Sequence, residues 1–453
     1  MALVELVELV EEDDEGVLDP HAVRTKPTRT TTGTTNRRTA GRLPTGQRVM
    51  VAPWAAPHLQ GRWAMDTSRI YSVGDARRRA ARAVPRALFD YIDGGADDEV
   101  TLHENERAFR EVTFRPRMAS ASGDPQVSTT LLGTPLSLPV LLAPCGLVRF
   151  MHPDGAPGVA RAAAAAGTVP VLSTVAGSPL EEFATSATGP KWFQLYSPGG
   201  PEQSEELVGR AQRAGYDGLV VTLDTPALGH RERDVRHGVT QPFRFTPASA
   251  SRLAAQVALR PRWVTGMVRA AVRARSATAD PTDTAAGAAA SPTARLVAMG
   301  ASPFSWDDVT AIRRQWTGPL AVKGVLCAED ARRAVAAGCD AVIVSNHGGR
   351  QLDGAPATLR VLPDIVDALG GTAAVVLDSG VRRGSDVVKA VAAGADAVMI
   401  GRPYLYGLAT CGEAGVRRVL EILRIEMVRT LSLMGCPSVS ALDRSWIELP
   451  SAI

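Results

Sequence analysis

The sharpest chemical signal lies in VSNHGGRQLDGAPAT, where His347 leaves an apolar run and Arg350 follows three residues later inside a glycine-rich loop. An imidazole titrates near neutrality and can move a proton, and a guanidinium offers a planar fork of donors to an anion. Other polar residues also stand directly after short apolar runs: Pro144 and Cys145, Ser173, Gln194 and Tyr196, Thr222 and Asp224, Lys323, Ser345, Asp378, then Gly401 and Arg402. Lys323 ends an apolar run, where a lysine without a charge partner is costly, so an anionic ligand is the better explanation for it. Arg231, like Arg350, sits in a loop that follows such a run.

These residues need elements to hold them, and the chain supplies a repeated one: a short apolar run, a polar or glycine-rich loop, then an alanine-rich helix. The runs are PVLLAP, VPVLS, KWFQLY, GLVVTLD, PLAVKG, AVIVSNHGG, AVVLDSG and AVMIGRP. Strands alternating with helices predict a parallel sheet, and eight such units predict a closed (β/α)8 barrel, with a doubly wound sheet as the alternative. In a barrel of this kind catalytic groups stand at the C-terminal ends of the strands, where the polar set falls. VGDARRRAARAVPRALFDYIDGG reads as a helix closed by Gly94 and Gly95.

Two regions stand apart. Residues 1–62 combine an acidic run with a Thr-rich basic stretch and little to bury, which predicts a disordered extension ahead of a folded body at 68–453. After the fourth run, residues 238–305 form a long, partly mobile insertion on the active-site side, with the low-complexity ATADPTDTAAGAAASPTA near its end. Within it Trp263, Val264, Met267, Val268 and Val272 recur at helical spacing, and Arg269, Arg273 and Arg275 lie elsewhere around the turn. Such a helix either docks on the barrel with solvated arginines or lies on a membrane surface.

With 453 residues, 45% hydrophobic and 21% charged, the chain can build a large core and is not disordered throughout. Fifty basic against 47 acidic residues give a formal net charge of +3, which argues for a small-molecule partner and no nucleic acid. Five scattered cysteines without a CxxC pair point away from a disulfide framework or a zinc site and fit a reducing cytoplasm. An acidic N-terminus and the absence of a long apolar run weigh against a signal peptide and a membrane span.

SNHGGRQLD, together with LDTPALGHRERD, KWFQLY, AVKGV, LDSGVRRGSD and IGRP, resembles the FMN-dependent 2-hydroxy acid oxidases and dehydrogenases, which include glycolate oxidase, lactate oxidase and mandelate dehydrogenase; the likeness runs from Tyr71 to Ile447. The resemblance implies FMN as cofactor and oxidation of an (S)-2-hydroxy acid to the 2-oxo acid, with oxygen or another electron carrier taking the electrons onward. It makes His347 the base that takes a proton from the substrate and Asp224 the partner of the imidazolium. Arg231, Arg350 and Tyr91 match the residues that hold the substrate carboxylate, and Tyr196 matches the one facing the hydroxyl. Lys323 would stabilise the anionic reduced ring, and Ser173, Gln194, Thr222 and Ser345 would hydrogen-bond it. Pro144, Cys145 and Gly146 would border the ring. Asp378 and Ser379 would meet the ribityl chain and its loop, and Gly380, Arg382, Gly401 and Arg402 the phosphate. A homo-oligomer, tetramer or octamer, is implied as well.

The chain departs from that pattern in three places. Ser379 replaces a common glycine, which predicts a slightly different backbone path. Val175 stands where glycolate oxidase has a pocket tryptophan, which predicts room for a larger substrate. Gly146 stands where several oxidases carry alanine, beside the reactive ring. Oxidation of a peptide or amine on the same fold is the rival activity, and retention of both Arg231 and Arg350 argues against it, since two buried charges would go unpaired. A non-catalytic flavin scaffold would be expected to lose His347, Asp224 or Lys323, and a nicotinamide enzyme would need a GxGxxG after a strand.

Overall fold

The computed structural model describes residues 66–119, 123–197, 200–238, 247–277 and 303–450. The expected extension at 1–62 and nearly all of ATADPTDTAAGAAASPTA lie outside them. Each of the eight apolar runs forms a strand: β1 (Val140–Leu142), β2 (Val171–Ser173), β3 (Trp192–Leu195), β4 (Gly218–Thr222), β5 (Leu320–Val325), β6 (Ala341–Val344), β7 (Ala374–Leu377) and β8 (Ala397–Ile400). They are rich in valine, isoleucine, leucine and alanine, and almost all are buried, as strands covered on both faces require. Neighbours pair in parallel around the sheet, β8 pairs with β1, and a bridge from Leu142 to Pro170 joins β1 to the lead-in of β2. The sheet therefore closes, and the doubly wound alternative is excluded.

The barrel interior is packed rather than hollow. Leu141, Val171, Trp192, Val220, Ala321, Ile343, Val376 and Met399 meet along the axis, and Leu131 and Leu136 of a hairpin (Thr129–Leu131 with Thr134–Leu136) add to this cluster. Gly218 makes room for the widest member, because a Cβ there would lie 2.6 Å from the Trp192 ring. The register of β5 against β6 slips between Lys323 and Val325, a bulge centred on Gly324 at φ +107. Bulges re-aim side chains beside active sites, and this one follows Lys323 directly.

The stretch read as one helix before Gly94 is two, Val73–Ala83 and Arg86–Asp93, because Pro85 removes a backbone donor and breaks the first. Gly94 and Gly95 do end the second. A Cβ on Gly94 would meet the Asp90 carbonyl at 2.9 Å, and one on Gly95 the Gly349 carbonyl at 2.9 Å, so both glycines serve close approach. In the insertion, helices span Pro247–Ala258 and Pro261–Ala277. Trp263 is buried, its Nε1 donates to the Phe150 carbonyl at 3.1 Å, and Gly266 lies against Pro153. The insertion helix thus docks on the segment that follows β1.

Candidate active site

Residues at or just past the ends of all eight strands line one solvent-open cleft. Its walls include Tyr91, Pro144, Cys145, Gly146, Val175, Tyr196, Arg231, Lys323, His347 and Arg350. Asp378, Ser379, Gly380, Arg382, Gly401 and Arg402 complete one end. Ser173, Gln194, Thr222, Asp224 and Ser345 do not line the cleft; Asp224 and Ser345 bond to His347 and Lys323, which do, and Ser173, Gln194 and Thr222 bond to one another. Thr225, Leu228 and Gln351, which lie inside the quoted motifs but were given no role, and Leu405 of helix Arg402–Met434 also line the cleft.

His347 stands three residues past β6 with φ +58, in the left-handed region that few residues other than glycine occupy. Its Nδ1 lies 3.0 Å from Asp224 Oδ1 and its Nε2 3.2 Å from the Tyr196 hydroxyl. With Nδ1–H donating to the carboxylate, Nε2 carries the lone pair and accepts from Tyr196. Burial pushes the imidazole below its ordinary pKa against the pull of Asp224, so the ring rests neutral. Burial acts against the charge of Asp224 too, but His347 and Lys323 outweigh it and hold the carboxyl below its usual range. Burial raises Tyr196 well above its ordinary value, so its phenol stays protonated.

Two cations reach the cleft without a carboxylate at ion-pair distance among the described residues. Arg350 donates to the carbonyls of Tyr91 and Gly94 at 2.5 and 3.0 Å and lies over the Tyr91 ring, 4.9 Å from its centre. Arg402, buried, donates to the carbonyls of Asp93, Gly348 and Gly94, and burial draws its pKa down to about 10. The C-terminal carbonyls of helix Arg86–Asp93, unpaired within the helix, thus orient both guanidiniums. The helix end is itself anchored through Asp93, which binds Arg77, Arg233 and Tyr406. Arg231 faces Asp234 at 3.4 Å, and burial followed by the nearby Arg350 lowers its pKa.

Beneath the opposite wall run two chains of polar side chains. Lys323 Nζ donates to Ser345 Oγ at 2.8 Å, which donates to Asp378 Oδ2 at 2.7 Å, and Lys323 and Asp378 are 3.2 Å apart. Burial opposes the Lys323 charge, yet Asp378 and Asp224 overcome it and raise the pKa. Asp378 is therefore the charge partner that the sequence did not reveal for this lysine. Gln194 accepts from Ser173 Oγ and donates to Thr222 Oγ1, which leaves one amide hydrogen and one lone pair for a ligand. Ser379 holds φ +82, a conformation natural to glycine, and its Oγ accepts from the Gly348 N–H at 2.9 Å. The backbone at this serine therefore keeps a glycine-like angle. Arg382 pairs with Glu106 at 3.1 Å. Burial pushes the Cys145 thiol up to about 11, which keeps it protonated at neutral pH.

The cleft fits FMN: buried Arg402 meets only carbonyls and would balance a phosphate beside Gly380 and Gly401, and Lys323 offers a fixed positive charge beside Gln194 and Ser345. A parallel barrel with a histidine–carboxylate pair, two carbonyl-held arginines and a buried lysine at the strand ends defines the class. Residues 80–449 match the model of the FMN-dependent dehydrogenases, and the chain belongs to that family. It is an FMN-dependent oxidoreductase acting on the CH–OH group of 2-hydroxy acids.

Among similar proteins, a peroxisomal (S)-2-hydroxyacid oxidase of Arabidopsis thaliana is 38% identical over 84% of this chain and 97% of its own. Glycolate oxidase of Spinacia oleracea is 38% identical over 83% and 95%. Among solved structures, the monotopic membrane protein (S)-mandelate dehydrogenase superposes with a TM-score of 0.76 at 35% identity, covering 84% of this chain and all of that one. Mandelate oxidase with benzoyl-formic acid gives 0.68 at 36%, covering 82% and 96%.

Proposed function

We propose that the chain converts a medium or large (S)-2-hydroxy acid to its 2-oxo acid, with His347 as the base. The observation that carries this reading is a neutral imidazole whose basic Nε2 opens on the same cleft as Arg231 and Arg350. The two arginines and Tyr91 hold the substrate carboxylate, Tyr196 faces the hydroxyl, and His347 takes a proton from the substrate. Asp224 then stabilises the imidazolium. FMN, when bound, would supply the acceptor for the two electrons and the substrate's second hydrogen, with oxygen or another carrier taking the electrons onward. Lys323, held protonated, places positive charge where the reduced cofactor would be anionic. Val175, Gly146 and Leu228 line the same cleft, and a valine and a glycine at the first two positions take less of it than the tryptophan and alanine that similar enzymes carry. A panel of 2-hydroxy acids, mixed with enzyme without oxygen while flavin absorbance is followed, tests the reading. Fastest bleaching by glycolate, or by an (R) acid, rejects it.

Five free cysteines support a reducing compartment, and a homo-oligomer follows from likeness alone. A specific observation favours contact with an anionic membrane surface. Between Val235 and Ala279 there are eight arginines and no aspartate or glutamate, and Leu259, Val268 and Val272 are exposed in the two insertion helices. No helix of the described residues is long and apolar enough to cross a membrane, so contact would be peripheral. Salt-sensitive sedimentation with anionic but not zwitterionic liposomes supports this reading, and equal recovery in the supernatant with both removes it.

A further inference from the structure

We propose that Asn105, a residue that does not line the cleft, is a positioning residue for His347; the inference rests on His347 acting as the base. Asn105 lies on the buried face of helix Val100–Glu111, between Leu102 and Phe109, and is 2% exposed. A polar amide in that place needs partners, and it has a specific one. Its Nδ2 donates to Asn346 Oδ1 at 2.8 Å, and Asn346 Nδ2 donates back to Asn105 Oδ1 at 2.8 Å.

Asn346 immediately precedes His347. Its amide is fully used, since Oδ1 also accepts from the Gly349 N–H and Nδ2 also donates to the Pro356 carbonyl. The turn that carries His347 at φ +58 is thereby tied across its own ends and to the helix. A non-glycine residue stays in that region when its surroundings over-determine it, and the asparagine pair supplies that constraint. Asn105 also meets the start of helix Thr358–Leu369. Its Oδ1 accepts from Thr358 N at 3.3 Å, Thr358 Oγ1 donates to the Asp378 carbonyl, and a Cβ on Gly380 would lie 2.4 Å from the Asn105 carbonyl. The Asn105 side chain thus holds the turn after β6 directly and meets the loop after β7 through Thr358, while its backbone carbonyl packs on Gly380. Without it the Asn346 amide loses a donor and an acceptor in a dry place, and the turn is free to relax away from Asp224.

The test uses the FMN-loaded enzyme, with Asn105→Ala and the volume-conserving Asn105→Asp, each alone and with His347→Gln. Both single variants should retain FMN and bind substrate within about threefold of the parent while flavin reduction slows about 10- to 100-fold, the cost of a misplacement of about 1 Å. The acid limb of the rate profile should move to lower pH, because the imidazole loses the carboxylate that raises its pKa. In the His347→Gln background Asn105→Ala should change the residual rate less than about twofold, as expected for residues that act through one another. Parent-like rates and pH profile, or the same fractional loss in both backgrounds, overturn the proposal. Failure of both variants to fold with FMN overturns it too, since Asn105 would then serve stability alone. Parent-like reduction by His347→Gln itself removes the assignment of the base instead.

Discussion

Arg350 and Arg402 donate to the same acceptor, the carbonyl of Gly94, from 3.0 and 2.8 Å. One arginine faces the proposed carboxylate site and the other the proposed phosphate site, so a single peptide unit orients both. Arg350→Met should raise the Michaelis constant and lower turnover. A charged hydrogen bond of about 1.5 to 3 kcal/mol corresponds to roughly 10- to 100-fold in kcat/KM. FMN should be retained, because Arg402 keeps its bonds to the carbonyls of Asp93, Gly348 and Gly94. Parent-like steady-state kinetics would sink the carboxylate assignment.

The pH dependence follows from opposing effects on His347. The base must be neutral, burial lowers its pKa below the ordinary 6.5, and Asp224 pulls the other way. For the parent, kcat/KM should therefore hold through neutrality and fall only below about pH 6.5. Asp224→Asn removes the upward pull, so the limb should move to still lower pH while the plateau rate drops, since the imidazolium formed in the reaction loses its partner. A limb that moves to higher pH would contradict the pairing.

Gly146 limits the side-chain end of the cleft by what it lacks. A Cβ there would lie 2.9 Å from the Tyr91 hydroxyl and 3.2 Å from Val175 Cγ2. Gly146→Ala should penalise an aromatic 2-hydroxy acid more than glycolate, by the 10- to 200-fold that roughly one methylene is worth in a tight pocket. The ratio of kcat/KM for the two acids measures it, and an unchanged ratio would place the substrate side chain elsewhere.

Gly324 has both a backbone and a steric reason to be glycine. It holds φ +107, and a Cβ would lie 2.5 Å from that of Asp224. Gly324→Ala should cost about 1 to 3 kcal/mol of stability and displace Asp224 from His347. Thermal unfolding and flavin reduction should fall together. Loss of stability with full activity would show that Asp224 can move without consequence.

The barrel was legible because its strands are continuous apolar runs, and the cleft residues because they stand where those runs stop. What the sequence concealed was of two physical kinds. The carbonyls of Tyr91, Asp93 and Gly94 have no side-chain signature, so the cradle of Arg350 and Arg402 could not be read. The charge partner of Lys323 lies two strands away, and only barrel curvature brings Asp378 to it. Asn105 left a trace: Leu102, Asn105, Ala108 and Phe109 follow the spacing of a buried helical face, and an amide on such a face announces a partner. Pro85 was visible as well, and a stricter reading would have divided the helix there.

Helix Arg86–Asp93 precedes every barrel strand, yet its end meets residues made long afterwards. Arg350 binds the Tyr91 carbonyl across 259 positions and Arg402 binds that of Gly94 across 308. On the ribosome the helix is therefore synthesised well before either guanidinium exists, and the Asp93 carbonyl has no arginine to bind until Arg402 has been added. A nascent chain stalled before Arg402 lacks the cation proposed for the phosphate. Cofactor capture is thus a late event in the life of each molecule, and an intact flavin signal certifies that helix Arg86–Asp93 and the residue that follows β8 have found each other.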